Sequence, residues 1–354
     1  MKNKLLTTTA IAGLLITSSA FAQTTVTGNL DLSYKGATTD NTKGSSFRGF
    51  GKETQINLTN KGKLNNGMDY VAGFSIEHDG QESGTAATTS GTAMFNENVY
   101  IDFISGGTTM TIGADHIQNP DFEATSITGL ADLDEVISGV NLATPAFITN
   151  AGSPYTAFGV GLIQNVGVGN VSVYYAPSGA AIAGDSAGGH AATSAGYVDG
   201  ANSTYEIGFR GGLGVKGLDV GVFYNSADSN DKATSSASAD NYKLSAKYAM
   251  GAVTVGASFA SQDTNGVNPQ TSKETKAIAL GYALSPNASI SIGHARTEDS
   301  TATKNQNDEK ITAIQFGYSL GPVGLGLSVG KVDNIGNTQQ ADGKAAMFQA
   351  STKF

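Results

Sequence analysis

A two-residue alternation of apolar and polar side chains constrains the fold of this chain more than any other feature. In the stretch KITAIQFGYSL, residues 310–320, Ile314, Phe316 and Tyr318 alternate with small or polar residues. The same alternation occurs in NYKLSAKYAM at residues 241–250. Successive side chains of a β-strand point to opposite faces, so a period of two indicates strands with one apolar and one polar face. The chain is therefore predicted to be all-β.

The predicted strands are joined alternately by tight turns and by longer polar connections. Short turns such as GG at 106–107 and GP at 321–322 contain residues that supply the backbone angles of hairpins. Longer polar stretches such as 225–240 and 298–310 separate the hairpins. This arrangement predicts sixteen strands with eight long loops between them. The strands are expected near residues 24–35, 52–61, 67–79, 95–104, 107–115, 155–164, 168–176, 202–212, 217–226, 241–250, 252–262, 274–284, 287–298, 310–320, 322–332 and 344–354.

The two faces of the predicted strands differ in a way that favours a membrane-spanning barrel. One face is rich in Phe, Tyr, Leu, Ile and Val, whereas the other is rich in Gly, Ser, Thr and Gln. Charged residues make up only 14% of the chain, compared with about a quarter in typical water-soluble proteins. An apolar exterior around a polar lumen is typical of transmembrane β-barrels, in which the closed sheet pairs every backbone amide. A soluble β-sandwich, with its apolar face inward, is the alternative.

The number of strands predicts a pore and an orientation. A barrel of sixteen strands is too wide for its own side chains to fill, so we expect a water-filled lumen. The fold class is thus a transmembrane antiparallel β-barrel with short periplasmic turns, long extracellular loops and both termini on the periplasmic side. The final segment AAMFQASTKF, residues 345–354, is predicted to pair with the first strand near 24–35 and close the ring. Phe348 should then face lipid, and Phe354 should lie at the periplasmic interface.

The N-terminal residues have the three parts of a secretory signal peptide. Two lysines precede a short apolar run, and Ala20 and Ala22 form an A-x-A cleavage site. The run is too short for a transmembrane helix, although an N-terminal anchor is the alternative. We therefore predict a signal peptide at 1–22 and a barrel domain at 23–354.

Composition argues against several classes of function. The chain has no Cys, so disulfides and thiol chemistry are excluded. Two of the 21 basic residues and none of the 30 acidic ones lie in 1–22, so the remainder has a net charge of −11, which argues against a nucleic-acid partner. The His residues are scattered and the Gly-rich stretches do not precede helices. We expect neither an enzyme nor a cofactor, with a Ca²⁺ site at loop-tip acids such as Asp228 and Asp231 left open.

The third long loop, residues 116–154, is long enough to indicate a function. It contains apolar residues, among them Phe122, Leu133 and Phe147, which need a surface to pack on. We therefore expect this loop to fold back into the barrel and narrow the lumen. An external loop that carries solvated acids is the alternative. The acidic residues assigned to the constriction are Asp115, Asp121, Glu123, Asp132, Asp134 and Glu135.

Charge is distributed unevenly along the chain. From Leu64 to Glu206 there are fifteen acidic residues and no Lys or Arg, whereas basic residues occur on both sides of this stretch. Since the first strands of a closed barrel neighbour the last, an acidic arc of wall should face a basic arc across the passage and create a transverse field. Scattered solubilising charge is the alternative. The basic residues assigned to the pore wall are Lys35, Arg210, Lys243 and Lys247, joined at the rim by Arg48.

With these features the sequence resembles the Gram-negative general porins, and most closely the Rhodobacter-type porins. The resemblance is most specific at TMTIGADHIQNPDFEATSITGLADLDEVISGVN, residues 109–141, which looks like that family's fifth strand and acidic third loop. It implies a homotrimer in the outer membrane, passive diffusion of small hydrophilic solutes and, in some members, bound Ca²⁺. The terminal Phe354 also matches the family, in which a final Phe is a signal for the outer-membrane assembly machinery. Thr352 departs from the pattern, because the family commonly has a hydrophobic residue there.

The combined prediction is an outer-membrane porin in the lipid bilayer, with a weak preference for cations that follows from its net negative charge and acidic arc. One alternative is a substrate-specific channel on the same barrel, although Tyr100 and Tyr174 are too few inward-facing aromatics for an aromatic track. The other alternative is a secreted β-rich adhesin without a pore.

Overall fold

The computed structural model describes residues 23–39, 45–80, 95–114, 124–128, 158–176, 203–228, 238–265, 271–300, 307–339 and 341–354. These residues form sixteen β-strands and one turn of 3-10 helix, Ile335–Asn337. The strands are β1 (Gln23–Thr39), β2 (Ser45–Lys63), β3 (Asp69–Gly80), β4 (Phe95–Ser105), β5 (Thr108–Ala114), β6 (Phe158–Asn165), β7 (Asn170–Ala176), β8 (Ser203–Gly211), β9 (Leu218–Asp228), β10 (Ser238–Met250), β11 (Val253–Asn265), β12 (Thr271–Ser285), β13 (Ala288–Asp299), β14 (Glu309–Leu320), β15 (Val323–Asp333) and β16 (Gly343–Lys353).

The sixteen strands close into one barrel. Consecutive strands pair antiparallel throughout, and β16 pairs with β1. At one end of the barrel the connections are tight turns, such as the one at Gly106 and Gly107, whose φ angles of 58° and 82° favour glycine. The connections at the other end are longer. The prediction of a closed sixteen-stranded antiparallel barrel is confirmed.

Strand boundaries differ most from the predicted ones in β1 and β2. The predicted segments 24–35 and 52–61 extend in the structure to Gln23–Thr39 and Ser45–Lys63. Cα pairing between the two strands continues without interruption along the whole of β1. Each further pair of residues gains backbone hydrogen bonds, so the strands continue beyond the point where the apolar alternation ends.

The outer face of the barrel is apolar, and the inner face is mainly small and polar. On β12, Ile278, Leu280 and Tyr282 are about half exposed on the outside. The alternate residues Thr275 and Ala279 are buried on the inside. The predicted arrangement of faces is therefore confirmed. Within the described ranges, no helix has the length and apolar character needed to cross a bilayer.

The last strand closes the barrel against the first, as predicted. Pairing with β16 runs along β1 from Asn29 to Thr39. Gly28 and Phe354 then exchange two backbone hydrogen bonds of 2.8 and 3.0 Å. The Phe354 ring lies over Gly28, where an added Cβ would approach the ring Cζ to 2.6 Å. Phe348 faces outward and is 47% exposed, as expected for a lipid-facing side chain. Gly28 therefore leaves the space that the terminal aromatic ring occupies.

The connection between β15 and β16 folds inward over the barrel wall. Its residue Ile335 packs on an apolar cluster formed by inward-facing side chains of the neighbouring strands. Gly343 accommodates this side chain, because an added Cβ would lie 2.7 Å from Ile335 Cδ1. From the sequence this connection was expected to be an ordinary extracellular loop. The members of the cluster are Ala37, Ala295, Ile311, Ala313, Val332 and Ala345.

Candidate functional site in the barrel lumen

A short piece of the third loop, residues 124–128, lies inside the barrel. Ala124 and Thr125 are 0% and 3% exposed, although no strand pairs with them. The piece contacts inward-facing positions on β11, β12 and β14. In a ring of sixteen strands, β13 lies opposite β5, so the contacted wall faces the strand after which the loop begins. The described piece of the third loop therefore lies inside the lumen against the far wall, as expected for a loop that folds back into the barrel.

Three glycines form the surface on which this piece lies, and we call them the glycine track: Gly256, Gly281 and Gly317. A Cβ added at Gly256 would lie 2.7 Å from the carbonyl carbon of Ala124 and still closer to its oxygen. At Gly281 it would collide with the side chain of Ile127. At Gly317 it would lie 3.2 Å from the carbonyl oxygen of Thr128, a tight but tolerable approach. Residues 124–128 therefore lie directly against the backbone of the wall.

Lys247 fixes the same piece through a hydrogen bond. Its Nζ donates to the carbonyl oxygen of Ser126 at 3.0 Å. The Cα of Lys247 is paired with that of Gly256, so this tether stands beside the first glycine of the track. A charged donor makes a stronger hydrogen bond than a neutral one. Lys247 therefore combines two roles, since it anchors the loop and contributes a positive charge to the inner wall.

Arg210 lies near Lys247 but its charge is compensated. The guanidinium of Arg210 forms an ion pair with Asp219 on the adjacent strand, with 2.7 Å between Nη2 and Oδ2. Nε of Arg210 also donates to this carboxylate at 3.2 Å. Asp219 is in turn the cross-strand partner of Lys247. Two bases and one acid therefore share this part of the wall.

The other predicted pore-wall bases fall into two groups. Lys35 and Lys243 alternate with outward-facing Tyr34 and Leu244, which places them on the inner face of β1 and β10. Arg48 is two residues from Phe50, which is 79% exposed on the outside and packs against Tyr34. The structure therefore places Arg48 on the outer face of β2, not on the pore wall, because side chains two apart on a strand share a face.

The predicted acidic residues of the constriction lie outside the described residues. The residues concerned are Asp115, Asp121, Glu123, Asp132, Asp134 and Glu135.

The inner wall also contains a chain of buried polar side chains that the sequence did not reveal. Asn225 donates from Nδ2 to Oε1 of Glu206 at 2.8 Å, and Asn241 donates from Nδ2 to Oδ1 of Asn225 at 3.0 Å. All three side chains are buried, as is Tyr174 on the next strand. The alternation placed Tyr174 and Glu206 on the inner face, but it carried no signal that they would be covered. A buried Tyr174 offers no surface along which a solute could slide.

The eighth loop also attaches to the inner wall by hydrogen bonds. The backbone N–H of Gly336 donates to Oε2 of Glu309 at 2.6 Å. Nδ2 of Asn337 donates to the carbonyl oxygen of Thr297 at 2.9 Å. Glu309 and Asn337 are buried. The one sequence signal for this contact was an apolar residue, Ile335, in an otherwise polar loop.

The described side chains contain no group of three or more His, Cys, Asp or Glu that could hold a metal ion. The possible Ca²⁺ ligands Asp228 and Asp231 have side chains outside the described part of the structure.

Comparison with known protein families agrees with the closed sixteen-stranded barrel described above. A family model described as Gram-negative porin matches residues 7–302. No curated protein sequence matches the chain significantly.

Several solved structures share the architecture. An anion-selective porin from Comamonas acidovorans has a TM-score of 0.64 and 11% identity, covering 94% of this chain and 100% of that chain. A multiply substituted mutant of the Rh. blastica porin has a TM-score of 0.62 and 14% identity, covering 94% and 100%. The in-vitro folded trimer form of OmpT, an outer membrane protein of Vibrio cholerae, has a TM-score of 0.61 and 11% identity, covering 94% and 99%. At these identities the similarity concerns the fold.

Proposed function

Because the chain belongs to the Gram-negative porin family and forms an outer-membrane porin channel, we propose that the piece of the third loop at 124–128 sets the width of that channel. Small hydrophilic solutes and ions cross by passive diffusion, and no covalent step occurs. The observation that carries the proposal is the contact of this piece with the glycine track, on the wall opposite the strand that precedes the loop. A loop held across a water-filled lumen limits the size of solutes that pass.

We propose that the six acidic residues assigned to the constriction face Lys35, Lys243 and Lys247 across the passage. The inward orientation of these lysines supports the proposal. Opposed charges in a narrow passage produce a transverse field that favours small polar solutes.

The channel is proposed to prefer cations weakly. Its net charge without residues 1–22 is −11, and the charge of Arg210 is compensated by Asp219. The Comamonas acidovorans porin with the same fold is described as anion-selective, so the fold itself does not decide the sign. Selectivity follows from the fixed charges that line the passage.

The remaining proposals concern export and assembly. Residues 1–22 are proposed to be a signal peptide that is removed on export, since they combine a basic start, an apolar middle and an A-x-A exit. The functional unit is proposed to be a homotrimer, and one solved structure with the same fold is a trimer form. Phe354 is proposed to serve as a signal for the outer-membrane assembly machinery.

Reconstitution into a planar lipid bilayer tests the proposal directly. We expect stepwise increases in conductance, grouped in threes if the unit is a trimer, and a linear dependence of solute flux on concentration. In a salt gradient, the reversal potential should show a weak preference for cations. Absence of stepwise conductance would contradict the channel, saturating flux of one solute would favour a substrate-specific channel, and a preference for anions would contradict the selectivity alone.

A further inference from the structure

The end of the barrel that carries the short turns has three exposed lysines around its opening. Lys61 and Lys353 lie near the ends of β2 and β16. Each is five residues from an outward-facing side chain, Ile56 or Phe348, so each lies on the inner face of its strand. Lys216 lies in the turn between β8 and β9. We call these three residues the mouth lysines.

No acidic side chain within the described ranges forms an ion pair with a mouth lysine. Two acids at the same end of the barrel are paired with other bases. Oδ1 of Asp69 lies 2.6 Å from Nζ of Lys63, and Oδ2 of Asp219 lies 2.7 Å from Nη2 of Arg210. The opening therefore has a positive charge that its own acids do not neutralise.

The mouth lysines lie on opposite sides of the opening. In a ring of sixteen strands, β8 and β9 are opposite β16 and β1. Lys216 is therefore across the opening from Lys61 and Lys353 and not beside them. Charges placed in this way surround the opening, and their potentials add at its centre.

The inner wall between the opening and the long loops has the opposite net charge. Among the described side chains on the inner faces of the strands there, seven are acidic and four are basic, a net charge of −3. Glu53, one of these acids, is exposed to the lumen. The acids are Asp31, Glu53, Glu77, Asp102, Glu206, Asp299 and Glu309, and the bases are Lys35, Lys243, Lys247 and Lys273.

We propose that the mouth lysines make the channel an ionic rectifier, which passes more current when cations move toward the periplasm than when they move outward. The proposal rests on the conduction of ions by the channel. The observation that carries it is the difference in sign between the charge at the periplasmic opening and the net charge of the wall behind it.

Two oppositely charged zones in series conduct unequally in the two directions. When cations move toward the periplasm, they enter through the acidic zone while anions enter through the basic opening, so both kinds of ion accumulate in the lumen. At the reverse voltage each ion must enter through a zone of its own sign, and the lumen is depleted of ions. The Debye length is about 10 Å at 0.1 M ionic strength and about 3 Å at 1 M, so low salt should strengthen the effect.

Single-channel current–voltage curves in planar bilayers test the proposal. In about 0.1 M KCl we expect the currents at equal and opposite voltages to differ about twofold, because potentials of a few kT change local ion concentrations severalfold. In about 1 M KCl the two currents should become nearly equal. The mouth variant is Lys61→Gln, Lys216→Gln and Lys353→Gln, and its two currents should be nearly equal already in about 0.1 M KCl.

The matched control removes the same number of charges from the outer face of the barrel, and we expect it to rectify like the wild-type protein. It is Lys276→Gln, Lys310→Gln and Lys344→Gln, and each of these lysines is adjacent in sequence to a buried, inward-facing residue.

The direction of insertion into the bilayer is identified with a single thiol. The chain has no Cys, and Ser300 is exposed at the end that carries the long loops. Ser300→Cys is therefore introduced into all three proteins and biotinylated. Streptavidin added to one chamber then shows, through the change in current on binding, which end of the channel faces that chamber.

Equal currents in the wild-type protein in about 0.1 M KCl, an undiminished difference in the mouth variant, or a larger current when cations move outward would each overturn the proposal. A difference that persists in about 1 M KCl would also contradict it, since fixed charges are then screened over a few ångströms. Absence of conductance from all three proteins would contradict the channel itself, whereas linear curves would contradict only the rectification.

Discussion

Adding single methyl groups along the glycine track should narrow the channel in a graded way. In Gly256→Ala the new Cβ would lie 2.7 Å from the carbonyl carbon of Ala124 and closer still to its oxygen. Nonbonded carbons are stable at about 3.5 Å or more, so the loop would have to move about 1 Å away from the wall. Forced overpacking of this kind typically costs about 1–3 kcal/mol. Movement away from the wall is movement toward the axis of the lumen, so we expect a lower single-channel conductance.

Substitutions at the other two glycines of the track should have smaller effects on conductance, which allows a graded comparison. Gly281→Ala meets the side chain of Ile127, which can adjust partly, and Gly317→Ala meets its nearest atoms at 3.2 Å. Conductance measured in planar bilayers should therefore decrease most for Gly256→Ala, less for Gly281→Ala and least for Gly317→Ala. Gly49→Ala is the control, because an added Cβ there has no neighbour within 4 Å. Wild-type conductance of a correctly folded Gly256→Ala protein, or an increase, would refute the contact as the determinant of width.

Three other changes test the wall, the seam and the eighth loop. Lys247→Met removes an inward-facing positive charge and a hydrogen bond worth about 1.5–3 kcal/mol. We therefore expect the reversal potential in a salt gradient to move toward cation preference. Arg48→Gln, on the outer face, is the control and should leave the reversal potential unchanged. Deleting Phe354 removes two backbone hydrogen bonds where the chain end pairs with β1. We expect a lower yield of folded protein on unheated gels and an unchanged conductance of the channels that form. An undiminished yield would contradict a role of Phe354 in assembly. Glu309→Gln weakens a charge-assisted hydrogen bond to the eighth loop and should lower thermal stability by about 1 kcal/mol, and an unchanged melting curve would argue that the loop is held by packing alone.

The sequence predicted the parts of the fold that depend on local pattern. Alternation along a strand determines which side chains face lipid, and turn glycines such as Gly106 determine where hairpins reverse. The pairing of the last strand with the first was predicted because a barrel in hydrocarbon cannot leave its last strand unpaired. These inferences needed no knowledge of which residues approach one another from distant parts of the chain.

The features that the sequence did not reveal depend on long-range approach. Gly256 is one of 46 glycines, and nothing adjacent to it indicates that the third loop will lie against it. Ile335 was visible as an apolar residue in a polar loop, but the cluster that receives it is assembled from five different strands. Arg48 was misplaced because it lies in a part of β2 where the alternation is too weak to define a face. Only the continuous pairing with β1 determines its direction.

Among the described residues, the acidic side chains of the inner wall differ in exposure, and this difference predicts which of them influence passing ions. The two inward-folded segments cover β10–β14 and the adjoining inner face up to β1. On β2–β4, by contrast, the inward-facing Glu53 is exposed and Glu77 and Asp102 are half-buried, whereas Glu206 on β8 is buried. Passing ions can approach exposed carboxylates more closely than buried ones. The accessible acids should therefore contribute more to cation preference. We expect Glu53→Gln with Glu77→Gln to shift the reversal potential toward anions, and Glu206→Gln to shift it less. A larger shift from Glu206→Gln would place the ion path along β8 instead.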